Sequence, residues 1–164
     1  VEGLEAGRLD LLLLALPCDC GDVETMTIAE DPFSVALPNG HALAAREEVT
    51  PGALAGERVM LLEDGHCLRD HALSACGLPG AATSQEFAAT SLHTLVQMVG
   101  GGLGITLLPR LAVAGGVTAG AEVAVRPLAG AFGRRIGLAW RARSPRAEEF
   151  RALAPSIAAA LSDR

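Results

Sequence analysis

Short apolar runs alternate along this chain with stretches in which apolar residues recur at helical spacing. The run LLLLAL at residues 11–16 lies in a strand predicted over residues 9–16, because a continuous apolar run of this length is typical of a strand buried on both faces. Further strands are predicted over residues 33–37, 58–62, 105–109 and 134–141.

Three helices are predicted between and after these strands. Asp64 or Gly65 can cap a helix that runs through Ala75 and is ended by Gly77 and Pro79. The next helix can begin at Thr90 or Ser91, and its apolar face is predicted to consist of Leu92, Leu95, Val96 and Val99.

The last helix is predicted to follow Ser144 and Pro145, a suitable cap and first-turn pair. Pro155 is expected to kink or split it, because proline lacks the backbone N–H that a helix interior uses. Strands that alternate with helices in this way predict an α/β fold with a largely parallel sheet.

Composition and charge narrow the class of protein. The 164 residues suffice for one domain or two small lobes, and the net charge of −6 argues against this chain binding nucleic acid by itself, since phosphate contacts need clustered cations. No apolar run reaches the roughly 20 residues of a membrane span, and no signal peptide is recognisable. The start at Val1, without Met, is expected to reflect a cut through a larger protein.

Two cysteines lie nine residues apart, at the two ends of one predicted helix, in the stretch LLEDGHCLRDHALSACGLPG. A continuous helix would separate Cys67 and Cys76 by about 13.5 Å and turn by about 900°, whereas a disulfide needs Cα atoms about 4.4–6.8 Å apart. Bond formation between them would therefore require the helix to unwind.

The neighbours of Cys67 favour a reactive thiolate. A helix N-terminus presents unpaired N–H groups and the positive end of the helix dipole, so we expect the pKa of the Cys67 thiol to lie below its ordinary value of about 8.5. Arg69 and His66 are cationic or donor neighbours, Asp70 can orient either of them, and His66 can supply the proton that a departing hydroxide needs. Cys76, at the other end, suits a resolving cysteine.

Other interpretations compete at these positions. A cysteine at a helix start is more often a small buried hydrophobe than a redox centre. His66, Cys67, His71 and Cys76 are four candidate metal ligands, but the paired spacings of structural zinc sites are absent, and no metal or cofactor is expected.

Other motifs carry weaker signals. Cys18 and Cys20, in the turn CDC, are expected to have no role, although a soft metal ion is an alternative. Any disulfide among the four cysteines of the chain is expected to be transient and not structural. The GGGLG segment follows a helix instead of a strand, so it indicates packing or a hinge and not a dinucleotide site. The acidic residues Glu24, Glu30 and Asp31 are expected to form a solvated face.

Several stretches together resemble a known family. LEDGHCLRD, the second cysteine nine residues after the first, ATSLHTLVQMV and GLGITLLP are similar to the regulatory domain of the OxyR family, the peroxide sensors among the LysR-type bacterial transcription regulators. LEAGRLDLLLLAL, LPNGHALA and GLAWR resemble segments shared by the wider LysR family, so the resemblance covers nearly the whole chain.

The resemblance implies a two-lobed fold like that of periplasmic binding proteins, with mostly parallel sheets. The first lobe would comprise residues 1–22 and 127–164 without its N-terminal strand and helix, and the second lobe residues 23–126. Cys67 would be the peroxide-reactive cysteine and Cys76 its disulfide partner. His66, Arg69 and Asp70 would support the pocket.

The implied function is cytoplasmic regulation of oxidative-stress genes and not enzymatic turnover. The implied partners are hydrogen peroxide, further copies of the chain in a homodimer or homotetramer, a glutaredoxin or thioredoxin reductant, and RNA polymerase as a further candidate. DNA would be bound only through an N-terminal domain that this sequence lacks, and no membrane is expected. Two alternatives stay open: a LysR effector domain that binds a small metabolite, with incidental cysteines, and a thiol peroxidase.

Overall fold

The computed structural model describes residues 1–63, 67–76 and 89–162, with the backbone alone described at Cys67 and at residues 74–76. The chain divides into two compact units, Val1–Asp31 with Arg134–Arg164, and Pro32–Gly133. The first unit is discontinuous, as the predicted first lobe is. Its two boundaries lie after Asp31 and before Arg134, further along the chain than the predicted boundaries at residues 22 and 127. The reason is that one long strand begins in the first unit and ends in the second.

In chain order, the helices and strands are α1 (Glu2–Glu5), β1 (Leu12–Leu16), β2 (Val23–Pro38), β3 (Val59–Met60), α2 (Cys67–Cys76), α3 (Leu92–Gly100), β4 (Ile105–Pro109), α4 (Arg110–Ala114), β5 (Val123–Pro127), β6 (Gly133–Arg141) and α5 (Ala147–Ser162). Two short 3-10 helices, Ala42–Ala45 and Pro51–Leu54, connect β2 to β3. The α/β class is confirmed. In the described part of the chain, no helix has both the length and the hydropathy that a membrane span requires.

The first unit is a sheet in the order β1, β6, β2, with α5 packed on it. Trp140 on β6 is fully buried and packs against Phe150 of α5, with ring centroids 5.9 Å apart. The Trp140 Nε1 donates to Glu24 on β2 at 3.3 Å, and Arg151 of α5 pairs with the same carboxylate while its guanidinium lies over the indole. The hydrogen bond to Glu24 raises the pKa of Arg151, against the opposing effect of burial. Glu24 therefore belongs to the packing of α5 on the sheet and not to a purely solvated face.

Asp31 departs further from the predicted solvated face. Its side chain is fully buried at the last position of the first of the unit's two chain segments, and it accepts a hydrogen bond from Arg134 Nε at 2.9 Å. Arg134 is the residue at which the chain returns to that unit, so the ion pair joins the two places where the chain crosses between units. Sequence spacing does not reveal it, because 103 residues separate the partners.

The second unit is a sheet in the order β3, β4, β2, β5. β4 is buried at all five positions and runs parallel to β3 but antiparallel to β2, and β5 is also antiparallel to β2. In the first unit, β1 and β6 are antiparallel as well. The expectation of mostly parallel sheets is thus wrong for the described strand pairs with a defined register. The physical reason is that the long β2 runs against its sheet neighbours β4 and β5.

Most local predictions in the second unit are confirmed. α3 is capped by Ser91, whose hydroxyl accepts from Thr94 N at 3.2 Å, and three residues of its predicted face are buried: Leu95, Val96 and Val99. The GGGLG segment has a packing role at Gly104, where an added Cβ would lie 2.5 Å from the Arg58 carbonyl oxygen.

The prediction of a fully buried first strand is wrong, and of the two effects expected of Pro155 the splitting of the helix does not occur. β1 begins at Leu12 and is not fully buried, since Leu13 is 52% exposed. The reason is its position, because β1 is the edge strand of its sheet. α5 also continues through Pro155 as one helix, so the proline does not split it.

Candidate functional site

The predicted two-cysteine helix is present in the second unit. α2 begins at Cys67 and ends at Cys76, so the two cysteines are its first and last residues. At about 1.5 Å of rise per residue their Cα atoms are about 13.5 Å apart, about twice the greatest separation that a disulfide spans. In this conformation the two cysteines therefore cannot bond to each other.

Few side chains attach α2 to the rest of its unit. Ala72 is buried, while Leu68 and Leu73 are half-buried against the same apolar cluster beside β2 and β4. Leu68 also contacts the cluster that includes the buried face of α3. Among the side chains of α2 that the structure describes, the apolar contacts are thus three small or partly exposed residues.

Arg69 adds a polar contact that the sequence does not reveal. Its side chain is 9% exposed, and its Nη1 donates to the Leu62 carbonyl oxygen at 3.1 Å. Leu62 forms a parallel bridge with Ala89, and Glu63 N donates to the Ala89 carbonyl oxygen at 3.2 Å. Arg69 therefore ties the first turn of α2 to the segment that follows β3.

Of the two remaining predicted pocket residues, the structure describes Asp70 but not His66. Asp70 is exposed and forms no hydrogen bond or ion pair within the described ranges, so it does not orient Arg69, which faces inward one position earlier on the helix. His66 lies outside the described residues, as do the predicted cap at residues 64–65 and the stop signals at Gly77 and Pro79.

His71 is a candidate metal ligand together with His66 and the two cysteines of α2. It is half-buried in α2, and its Nδ1 is buried without a hydrogen-bond partner among the described residues. It is the only one of those four candidates whose side chain the structure describes, so the metal hypothesis stays an untested alternative.

A disulfide joins Cys18 and Cys20 in the turn between β1 and β2 of the first unit, with Cα atoms 5.3 Å apart. The expectation that these two cysteines have no role is therefore wrong, and the alternative of a soft metal ion did not anticipate their bond. The signal that could have identified the pair is its spacing, since one intervening residue in a turn brings the two side chains together.

The family model described as "LysR substrate binding domain" matches residues 1–162. The chain belongs to this family. The resemblance on which the motifs were read is confirmed, and with it the two-cysteine helix is placed within a LysR effector-domain fold.

Curated relatives carry the names of peroxide-responsive regulators. The chain is 41% identical over 165 residues to a "Probable hydrogen peroxide-inducible genes activator" of Streptomyces viridosporus, covering 99% of this chain and 53% of that protein. It is 40% identical over 156 residues to the "DNA-binding transcriptional dual regulator OxyR" of Escherichia coli K12, covering 95% and 51%. The chain thus spans about half the length of the curated relatives it matches.

The solved structures that superimpose on this chain include OxyR proteins as well. The reduced regulatory domain of OxyR2 from Vibrio vulnificus superimposes with a TM-score of 0.84 at 39% identity, covering 96% of this chain and 75% of that one. A hydrogen-peroxide-bound cysteine mutant of Corynebacterium glutamicum OxyR gives a TM-score of 0.85 at 31% identity, covering 99% and 54%. The chain therefore has the fold of OxyR regulatory domains, and its relatives are transcription regulators.

Proposed function

We propose that this chain is the hydrogen-peroxide-sensing part of a LysR-type transcription regulator. Cys67 is the peroxide-reactive residue, Cys76 is its disulfide partner, and α2 unwinds when they bond. The observation that carries the proposal is that α2 begins at one cysteine and ends at the other. The names of the relatives at about 40% identity support the assignment of peroxide as the signal.

The chemistry balances without a cofactor. The Cys67 thiolate attacks one oxygen of hydrogen peroxide and the O–O bond breaks, which leaves a sulfenic acid and a hydroxide that takes a proton to become water. The Cys76 sulfur then attacks the sulfenic sulfur, and a second water leaves as the disulfide forms. His66, next to Cys67 in the sequence, is our candidate for the first proton donor, with Arg69 and Asp70 as supporting residues.

Assembly and DNA binding belong to the same proposal. We infer a cytoplasmic homodimer or homotetramer whose subunits re-dock when α2 is lost, with DNA bound through a segment outside this chain and RNA polymerase as a further candidate partner. A thioredoxin or glutaredoxin would reduce the disulfide and end the signal. Such a sensor reacts about once per reduction and is not an enzyme. The support for this is the regulator names of the relatives.

Peptide mapping after one equivalent of hydrogen peroxide tests the proposal. In a C18S/C20S chain, which removes the pair already bonded in the first unit, we expect the Cys67–Cys76 cross-linked peptide and the loss of both free thiols. In a C18S/C20S/C76S chain, a sulfenate should be trapped at Cys67 instead.

Three results of that experiment would contradict the sensor. Full alkylation of both thiols after peroxide would show that neither cysteine reacts, which would rule out the sensor. Continuous turnover of peroxide with thioredoxin would indicate a peroxidase. A gain in melting temperature with a small metabolite, together with indifference to peroxide, would indicate an effector domain of the metabolite-binding kind.

Arg69 provides a test of how Cys67 is activated. Replacing it by alanine removes a cation two residues from the thiol, so the alkylation midpoint of Cys67 should move to higher pH. The peroxide rate at pH values below that midpoint should then fall, by about tenfold for each unit of the shift, because only the thiolate reacts. Stopped-flow alkylation over pH 5–10 measures the midpoint, and stopped-flow mixing with hydrogen peroxide measures the rate.

The bond from Arg69 to the Leu62 carbonyl gives that variant a second consequence, which must be separated from the first. Amide exchange of α2 reports the structural effect. A lower protection of α2 with an unchanged alkylation profile would show that Arg69 serves structure alone.

A further inference from the structure

The turn between β1 and β2 carries a disulfide that the proposed peroxide chemistry does not use. Cys18 and Cys20 are bonded across a single intervening residue, Asp19, and both lie in the first unit, whereas α2 belongs to the second. The two pairs of cysteines are therefore separate in the chain and in the fold. We propose that Cys18 and Cys20 form a second redox site, which exchanges electrons with dithiols and disulfides independently of Cys67 and Cys76.

The size of the ring argues against a purely structural disulfide. A disulfide stabilises a fold mainly by restricting the unfolded chain, and this effect shrinks as the closed loop becomes shorter. A loop with one intervening residue restricts the unfolded chain very little. The bond can therefore open at small cost to the folded state.

The turn is also held in place by contacts other than the disulfide. On one side Leu16 pairs with Arg135 in the β1–β6 ladder. On the other side Val23 N donates to the Gly21 carbonyl oxygen at 2.9 Å, and Ala142 N donates to the Asp22 carbonyl oxygen at 3.4 Å. These backbone bonds remain when the sulfur–sulfur bond breaks, so reduction leaves the two thiols close together and ready to bond again.

Exposure distinguishes the two sulfurs. Cys18 is half-buried next to the exposed Asp19, whereas Cys20 is 4% exposed. An attacking thiolate needs access to the sulfur it strikes, so Cys18 is the point of attack and Cys20 is the leaving group.

A cavity of about 430 Å³ adjoins the buried cysteine. It lies wholly within the first unit, and its lining includes Cys20 together with two acidic and two basic side chains: Glu5, Asp22, Arg141 and Arg143. Arg141 is engaged with the Leu4 and Leu9 carbonyl oxygens, each at 2.7 Å, whereas Arg143 is exposed and has no hydrogen bond or ion pair among the described residues. The cavity gives a departing Cys20 thiolate a polar surrounding in place of an apolar core.

The exchange balances as follows. One thiolate of a dithiol attacks Cys18 Sγ, the Cys18–Cys20 bond breaks, and Cys20 leaves as a thiolate that takes a proton from solvent. The second thiolate of the dithiol attacks its own sulfur in the mixed disulfide, and Cys18 leaves in the same way. Two electrons and two protons pass from the dithiol to the protein, and a disulfide oxidant reverses the sequence.

A C67S/C76S chain isolates the site, because the sequence has four cysteines and this variant keeps only Cys18 and Cys20. The variant is equilibrated without denaturant in mixtures of reduced and oxidised dithiothreitol, alkylated and weighed intact. We expect a reversible change from no label to two labels per chain. The far-UV circular dichroism should not change, and the melting temperature should move by less than about 3 °C, since so short a loop contributes little.

Two results would overturn the redox site. No labelling in excess reduced dithiothreitol until the fold is lost would make the disulfide structural. Two labels that persist in excess oxidised dithiothreitol would show that the pair does not form. Neither result bears on Cys67, so the failure of this proposal and the failure of the peroxide sensor are distinguishable.

The point of attack is tested with single cysteines in the same background. Mixed-disulfide formation with oxidised glutathione should be at least about tenfold faster at Cys18 in a C20S chain than at Cys20 in a C18S chain, given the difference in access. The same order should appear in partial alkylation of the reduced C67S/C76S chain, whose turn is unaltered. Faster reaction at Cys20 in that chain would overturn the assignment of Cys18 as the point of attack.

Discussion

Oxidation by hydrogen peroxide should abolish the amide protection of α2. In the reduced chain, the amides of residues 68–75 should exchange slowly, and after disulfide formation their protection should fall at least about tenfold, the equivalent of about 1.4 kcal/mol of local stability. The reason is geometric, because Cys67 and Cys76 at the two ends of an intact α2 are too far apart to bond.

The energies that favour the helical form of α2 and those that favour the unwound, disulfide-bonded form are of similar size. Full burial of Leu68, Ala72 and Leu73 would contribute about 4–6 kcal/mol before conformational entropy, and the two leucines are only partly buried here. The bond from Arg69 to Leu62 adds about 1.5–3 kcal/mol to the helical state. A disulfide that closes a loop of this length offsets about 2–3 kcal/mol through the unfolded chain, and its redox free energy adds to that. Peroxide is a strong enough oxidant for the redox free energy of the disulfide to decide which of the two forms is favoured.

Hydrogen–deuterium exchange with mass spectrometry measures this result, in a C18S/C20S background so that α2 carries the reacting cysteines alone. α3 is the internal reference, since its Ser91 cap and its buried face should be unaffected. A chain that also carries C76S is the matched control, because it can form a sulfenate but no disulfide and should retain α2. Equal protection of α2 before and after the bond forms would show that the nine-residue spacing is not a switch.

Trp140→Ala should lower the free energy of unfolding of the first unit by about 3–5 kcal/mol. The indole is fully buried on β6, packs on Phe150 and donates to Glu24. Truncation therefore creates a cavity under α5, removes the aromatic contact and takes a donor from a half-buried carboxylate that Arg151 alone would then hold.

Two further variants show which part of the Trp140 side chain is responsible and provide an exposed position for comparison. Trp140→Phe keeps an aromatic ring but loses Nε1–H, so we expect a cost of about 1–2 kcal/mol. Leu153→Ala lies on the same helix as Phe150, but its side chain is 48% exposed, and it should cost less than about 1 kcal/mol. Urea unfolding followed by circular dichroism measures all three. A cost for Trp140→Ala no larger than that for Leu153→Ala would contradict the packing of α5 described here.

Local chemistry let the sequence by itself determine several features of this protein. The apolar spacing and hydroxyl cap of α3 are read from consecutive residues, since i, i+3 and i+4 positions share a helix face whatever the rest of the chain does. The two-cysteine helix, the buried strand β4 and the family resemblance follow from the same kind of local pattern. The impossibility of a disulfide across an intact α2 needs only the nine-residue spacing and the rise of a helix.

The tertiary structure decided what depends on partners far apart in the chain. Leu13 is exposed because β1 is an edge strand, although its run of leucines is what a buried strand would show. Asp31 is buried because Arg134 lies beside it, and Arg69 is held because the Leu62 carbonyl faces it. Strand direction and the burial of a charge are set by contacts across the fold, and a carboxylate or guanidinium looks the same in the sequence whether or not such a contact awaits it.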